Sequence, residues 1–218
     1  IGDFPPSALS GLLHGYISVY SIVRVSPWLE DVYGSQWDIH ERIREIAGEL
    51  ADLIQDPSVT LEDRVGHIAD LMEAYLTYSD MDFLDIALDA AYGIISPEGR
   101  DEIVLPCRTP EMCRLLCSYY YFTGEERCAE LAGEIIKERG TEIFNKSVEE
   151  PLENRWNWYR AEEFYENIIG EEKHEKVKNM LMLEEEFWKQ FGKDIDSKDL
   201  TVSTLCFDNL ALKEYSLI

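Results

Sequence analysis

Apolar residues recur at three- and four-residue intervals along nearly the whole chain, and strand-like alternation bounded by hairpin turn signals is scarce. The expectation is an all-α protein. A first helix is predicted from Ser7 to about Arg24 on the stripe Leu9, Leu12, Leu13, Tyr16 and Ile17. A loop with Pro27, Trp28 and Gly34 follows. Ile39, Ile43, Ile46, Ala47, Leu50 and Ile54 then mark a second helix from Trp37 to Ile54, stopped at Asp56 and Pro57. Thr60 suits the cap of a third, with Asp63 three residues on to reciprocate, and that helix runs to about Tyr78.

The chain then repeats itself. Tyr75, Tyr119 and Tyr165 lie 44 and 46 residues apart, each ahead of a short break: Tyr78-Ser79-Asp80-Met81, Phe122-Thr123-Gly124-Glu125 and Ile168-Ile169-Gly170-Glu171. Leu71 corresponds to Leu115 and Arg114 to Arg160; beyond the break Ile86 and Ala87 correspond to Leu131 and Ala132, with one residue skipped in the first copy. Each copy reads as a helix, a tight turn holding a Gly or Asp suited to left-handed backbone, and a second helix that starts acidic. The hairpin copies are placed at about 60–96, 109–139 and 154–190, within one all-helical domain spanning 1–218. Residues 97–109 and 140–154 are longer connections rich in Pro, Gly and charge. If helices alternate up and down, both fall on the end opposite the tight turns, where function is expected.

The segment Tyr120-Tyr121-Phe122-Thr123-Gly124-Glu125-Glu126-Arg127-Cys128-Ala129-Glu130-Leu131-Ala132 resembles the hairpin signature of α/α-toroid proteins, the six-hairpin glycosidases and their relatives. The resemblance covers about residues 60 to 190 and implies antiparallel hairpins set in an arc or small ring, with carbohydrate as the substrate class. A closed ring of six hairpins needs more chain than this, and no catalytic motif of that family matches any position here. Tetratricopeptide repeats look alike around Tyr120, Gly124 and Ala129, but their 34-residue period does not fit.

Charge narrows the partners. Forty-four acidic residues against 20 basic ones leave a formal charge of -24, a field that repels phosphate backbones and anionic lipid, so neither nucleic acid nor a membrane is expected as partner. No apolar run approaches the roughly 18 residues of a spanning helix. The five cysteines, at 107, 113, 117, 128 and 206, fit no disulfide framework; they are read as packing residues of a cytoplasmic protein, with no metal and no cofactor expected. The chain opens on Ile1, from which a processed or excised product is expected.

The strongest chemical constellation follows the second long connection. Arg155, Trp156 and Trp158 offer guanidinium and indole faces for a sugar, while Glu150, Glu162 and Glu163 are the candidate catalytic carboxylates of a glycoside-processing site. Arg108 and Glu102 on the other long connection are expected to join them as substrate contacts. Against this stands a plainer arrangement, with Trp156, Tyr159 and Phe164 as a buried stripe and Trp158 covering the loop. A second cluster, Trp28, Asp31, Tyr33, Trp37, Asp38 and His40, reads as a loop pinned by two tryptophans. The acidic string Asp80-Met81-Asp82-Phe83-Leu84-Asp85 reads as a helix start. Two functions therefore compete: a carbohydrate-active or carbohydrate-binding domain, and a non-enzymatic helical-repeat scaffold that binds a peptide or protein partner.

Overall fold

A computed structural model describes residues 6–96, 103–140 and 152–169, and among them every regular element is helical. Helix α1 is Pro6–Val25. After a 3-10 turn at Pro27–Leu29 come α2 (Glu30–Tyr33) and α3 (Gln36–Gln55). Next are α4 (Leu61–Tyr78), α5 (Met81–Ile95), α6 (Pro110–Thr123) and α7 (Glu126–Ile135), which runs on into a π-helical turn at Ile136–Gly140. Helix α8 is Leu152–Ile168. The predicted boundaries of the first three long helices hold to within two residues.

Local chemistry explains the starts. Ser35, Thr60 and Thr109 each accept an amide three residues on, at 3.1, 3.2 and 3.2 Å, which satisfies a donor that has no partner inside its helix. Asp63 reciprocates differently from the expected capping box, because its carboxylate accepts from the Thr60 hydroxyl at 2.7 Å. The two tight turns share one design. Ser79 and Gly124 take left-handed backbone, φ 54 and 75, and donate to Tyr75 and Tyr120 carbonyls at 2.7 and 2.8 Å. The next residue in each, Asp80 or Glu125, then caps the following helix through its carboxylate. The left-handed residue of the first turn is therefore Ser79 rather than the expected Asp80, and the acidic string after it is a helix start. Gly170 lies outside the described residues.

Space around the Gly124 Cα is open, so a side chain there meets no neighbour and its cost is purely conformational. Gly124→Val should lower stability by about 1 to 2 kcal/mol, read from urea unfolding. Ser79→Gly should not lower it.

Helices α1, α4, α6 and α8 form a central row, α1 packing on α4, α4 on α6 and α6 on α8. Helix α3 packs against α1, α4 and α5, while α5 and α7 fold back onto α4 and α6. Two hairpins of the predicted kind are thus present, α4–α5 and α6–α7, and the second helix expected for the third copy lies outside the described residues. Helices α4 and α6 run parallel: Tyr75 meets Phe122 edge-on at 5.6 Å near their C-terminal ends, and Gly66 faces Glu111 near their N-terminal ends. Helix α4 is buried nearly all round, through Val65, Ile68, Ala69, Leu71, Met72, Ala74 and Tyr78. Cys113, Cys117 and Cys128 are buried in the core of the α6–α7 hairpin. Burial, with Glu125 adding to it, pushes the Cys128 thiol up to about 12, so it packs as a neutral group.

Candidate functional site

Among the described residues, five ionisable side chains meet at the middle of the central row: His14 from α1, Asp70 and Glu73 from α4, Arg114 from α6 and Arg160 from α8. Asp70 and Arg114 are the floor, with side chains 2 and 5% exposed, while His14, Glu73 and Arg160 open slightly to solvent at 12, 12 and 15%. Arg114 bridges both carboxylates, donating from Nη2 to Asp70 Oδ1 and from Nε to Glu73 Oε1 at 2.6 Å. Arg160 Nη2 stands 3.6 Å from Glu73 Oε2 and 3.9 Å from Asp70 Oδ1.

His14 Nε2 is the vertex of this network. It lies 2.7 Å from Asp70 Oδ1, 2.6 Å from Arg160 Nη2 and 3.3 Å from Arg114 Nη2. With its proton on Nε2 the imidazole donates to Asp70; with the proton on Nδ1 it accepts from the guanidinium groups instead. Burial, and then the Arg160 charge, hold the His14 pKa below its ordinary value against the opposing pull of Asp70 and Glu73. For Asp70 burial is the largest single influence and by itself favours the neutral acid. Arg114, His14 and Arg160 outweigh it and keep the carboxyl well below the usual range.

Both shifts run in the same direction with pH. The unfolded chain takes up a proton on His14 near pH 6.5 and the folded chain resists it, so this contribution is complete above about pH 6.5 and is lost as pH falls from there. Asp70 adds a second loss below about pH 4. His67, also lowered by burial, acts in the same sense as His14. The urea midpoint should therefore fall between pH 7 and pH 5, and less steeply in His14→Gln, with His67 supplying what remains. An identical slope in that variant would remove His14 from the explanation.

The ligand atoms of His14, Asp70 and Glu73 lie within 4.8 Å of one another, close enough to gather a cation. The charge that a cation would bring is already present, because Arg114 occupies an oxygen of each carboxylate. Among the described residues two acids face two guanidiniums, and with His14 neutral their formal charges cancel.

Beside this network runs a cleft of about 110 Å³ between α4, α6 and α8, lined by Met72, Glu73, Leu76, Ser118, Tyr121, Phe122, Phe164 and Ile168. Glu73 belongs to both. Leu76 and Tyr121 stand at the rim, 67 and 54% exposed. Ser118 is 1% exposed and its hydroxyl has no hydrogen-bond partner.

Trp158 and Arg108, singled out by the sequence, belong to neither the network nor the cleft lining. Trp158, expected as a stacking platform, is 3% exposed and buried in the core together with Ala161, so it offers no face to a ligand. Of the expected stripe, Phe164 packs partly buried against the core beside Tyr165 and Ile168, and the side chains of Trp156 and Tyr159 lie outside the described residues. Arg108 pairs with Glu138 at 2.7 Å and Glu134 at 3.6 Å, which ties the start of α6 to the end of the α7 hairpin. Glu162 is half-buried on α8. Glu102 and Glu150, and the side chains of Arg155, Trp156 and Glu163, lie outside the described residues. At the first connection Trp28 and Trp37 are 72 and 71% exposed, so they do not pin the loop.

Sequence reasoning missed the charge network, although its signal was present. The repeat that equates Arg114 with Arg160 equates Asp70 with Arg114, 44 residues earlier, and each of the three precedes a buried Leu71, Leu115 or Ala161. A charged residue at one inward position of successive copies is what the row helices bring together. Comparison of the chain with models of known protein families, with curated proteins and with solved structures returns no match.

Proposed function

We propose that this chain is a binding module, a helical-repeat scaffold that receives a peptide segment of a partner protein along the α4–α6–α8 row. The observation that carries the reading is the cleft, where Leu76 and Tyr121 stand exposed at the rim over apolar and aromatic walls. An open apolar depression rimmed by large side chains is the usual form of a peptide-binding groove. With a formal charge of -24 on the chain, the favoured peptide carries large apolar side chains flanked by lysine or arginine. The carbohydrate reading is less favoured, because Trp158, the indole on which it leaned, sits in the core.

Panning a random-peptide display library on the full chain tests this. Selected peptides should bind at micromolar affinity and lose at least tenfold on Leu76→Arg or Tyr121→Arg, whose exposure leaves the fold unchanged by circular dichroism. Peptides that bind both variants as tightly as the original chain would refute the assignment. So would a glycan-array signal lost in Glu162→Gln, which would return the carbohydrate reading.

A further inference from the structure

We infer that the cleft takes a phenol, the side chain of a tyrosine in the bound peptide; the inference rests on the scaffold reading and names what the scaffold selects. Three observations converge. The first is the Ser118 hydroxyl, 1% exposed, lining the cleft and without a partner. A buried hydroxyl that neither donates nor accepts is unfavourable by the full desolvation of the group, and folded proteins seldom retain one unless something else completes it.

The second is Glu73. Its Oε1 accepts from Arg114 at 2.6 Å, but Oε2 is 3.6 Å from Arg160 and 4.0 Å from His14, both beyond hydrogen-bond length. An acceptor thus remains on one residue of the cleft lining, Glu73, and an unused hydroxyl on another, Ser118. The third is charge. Among the described residues Asp70 and Glu73 are paired with Arg114 and Arg160, so these carboxylates do not call for a cationic head. A carboxylate would be repelled by Glu73, and an ammonium would meet the two guanidiniums behind it. A neutral hydroxyl meets neither objection, since it can donate to a carboxylate oxygen and accept from Ser118.

The body of the ligand follows from the walls. Met72, Phe122 and Phe164 offer a thioether and aromatic rings, surfaces that favour an aromatic ring, and a cavity of about 110 Å³ has room for one side chain rather than an oligosaccharide or a nucleotide cofactor.

The test uses p-cresol, which is the tyrosine side chain alone, against toluene, which lacks only the hydroxyl. Titrated into the full chain and followed by protein-observed NMR, p-cresol should bind about tenfold more tightly than toluene. In Ser118→Ala the two should bind within about twofold of each other, and that variant should melt no lower than the original, because its hydroxyl has no protein partner to lose. Equal binding of both probes to the original chain, no binding of either, or a preference that survives Ser118→Ala overturns the inference. Its failure is separable from that of the scaffold reading. Selected peptides that tolerate Tyr→Phe but are lost on Leu76→Arg leave the scaffold standing without a tyrosine site, whereas peptides indifferent to Leu76→Arg remove the scaffold itself.

Discussion

Asp70→Asn is expected to lower stability by about 3 to 5 kcal/mol, measured by urea unfolding near pH 7.5. The reason lies in what the change leaves behind. Asp70 is 2% exposed, and its Oδ1 is shared by Arg114, His14 and, at longer range, Arg160. Asparagine fills the same volume but removes the charge, so Arg114, 5% exposed, keeps one carboxylate partner where it had two. A guanidinium taken out of water and then left with one of its two counter-charges loses more than the ion pair contributed. Replacing both members, as in Asp70→Leu with Arg114→Met, should therefore recover much of the loss. The double variant should lie closer to the original than the sum of the single changes, with a coupling above about 1 kcal/mol. A loss below about 1 kcal/mol for Asp70→Asn would mean that water reaches the network and screens it.

How much of this could be read in advance differs between the helices and the site. Helix positions were legible because the local rules act within a few residues: Thr60 caps α4, Gly124 ends α6, and Ile39 through Ile54 mark one face of α3. The hairpin turns were legible for the same reason, apart from the one-residue offset at Ser79, a residue that takes left-handed backbone without being glycine or asparagine. The site was not. Its members stand at positions 14, 70, 73, 114 and 160, on four helices far apart in sequence, and no spacing rule joins His14 to Arg160. The repeat alone pointed there. Aromatic residues drew attention to the segment after residue 150, whereas the charged residue among them, Arg160, is the one that reaches the network. Composition misled in another way. Tryptophan is usually well buried, which predicts Trp28 and Trp37 as pins of the loop, yet both stand in solvent.

Trp158→Ala is the second change expected to have a large effect, again about 3 to 5 kcal/mol, and it separates a core role for this indole from a sugar-stacking one. A tryptophan placed as a sugar platform would be dispensable for folding. In the structure its indole is 3% exposed, on a helix held by α6 and by the turn after α7. Truncation removes the largest apolar side chain described on α8 and leaves a cavity, and the neighbouring Ala161 has no side chain long enough to fill it. Because Arg160 lies two residues further on the same helix, loosening α8 should also withdraw a guanidinium from Glu73 and His14. The pH dependence of stability should therefore change together with the stability itself. Trp28→Ala and Trp37→Ala supply the contrast: both side chains are more than two-thirds exposed, at 72 and 71%, and each change should fall within about 0.5 kcal/mol of the original. If Trp158→Ala unfolded at the same urea midpoint as those two, α8 would not be docked on α6, and the fourth helix of the charge network would have to be withdrawn.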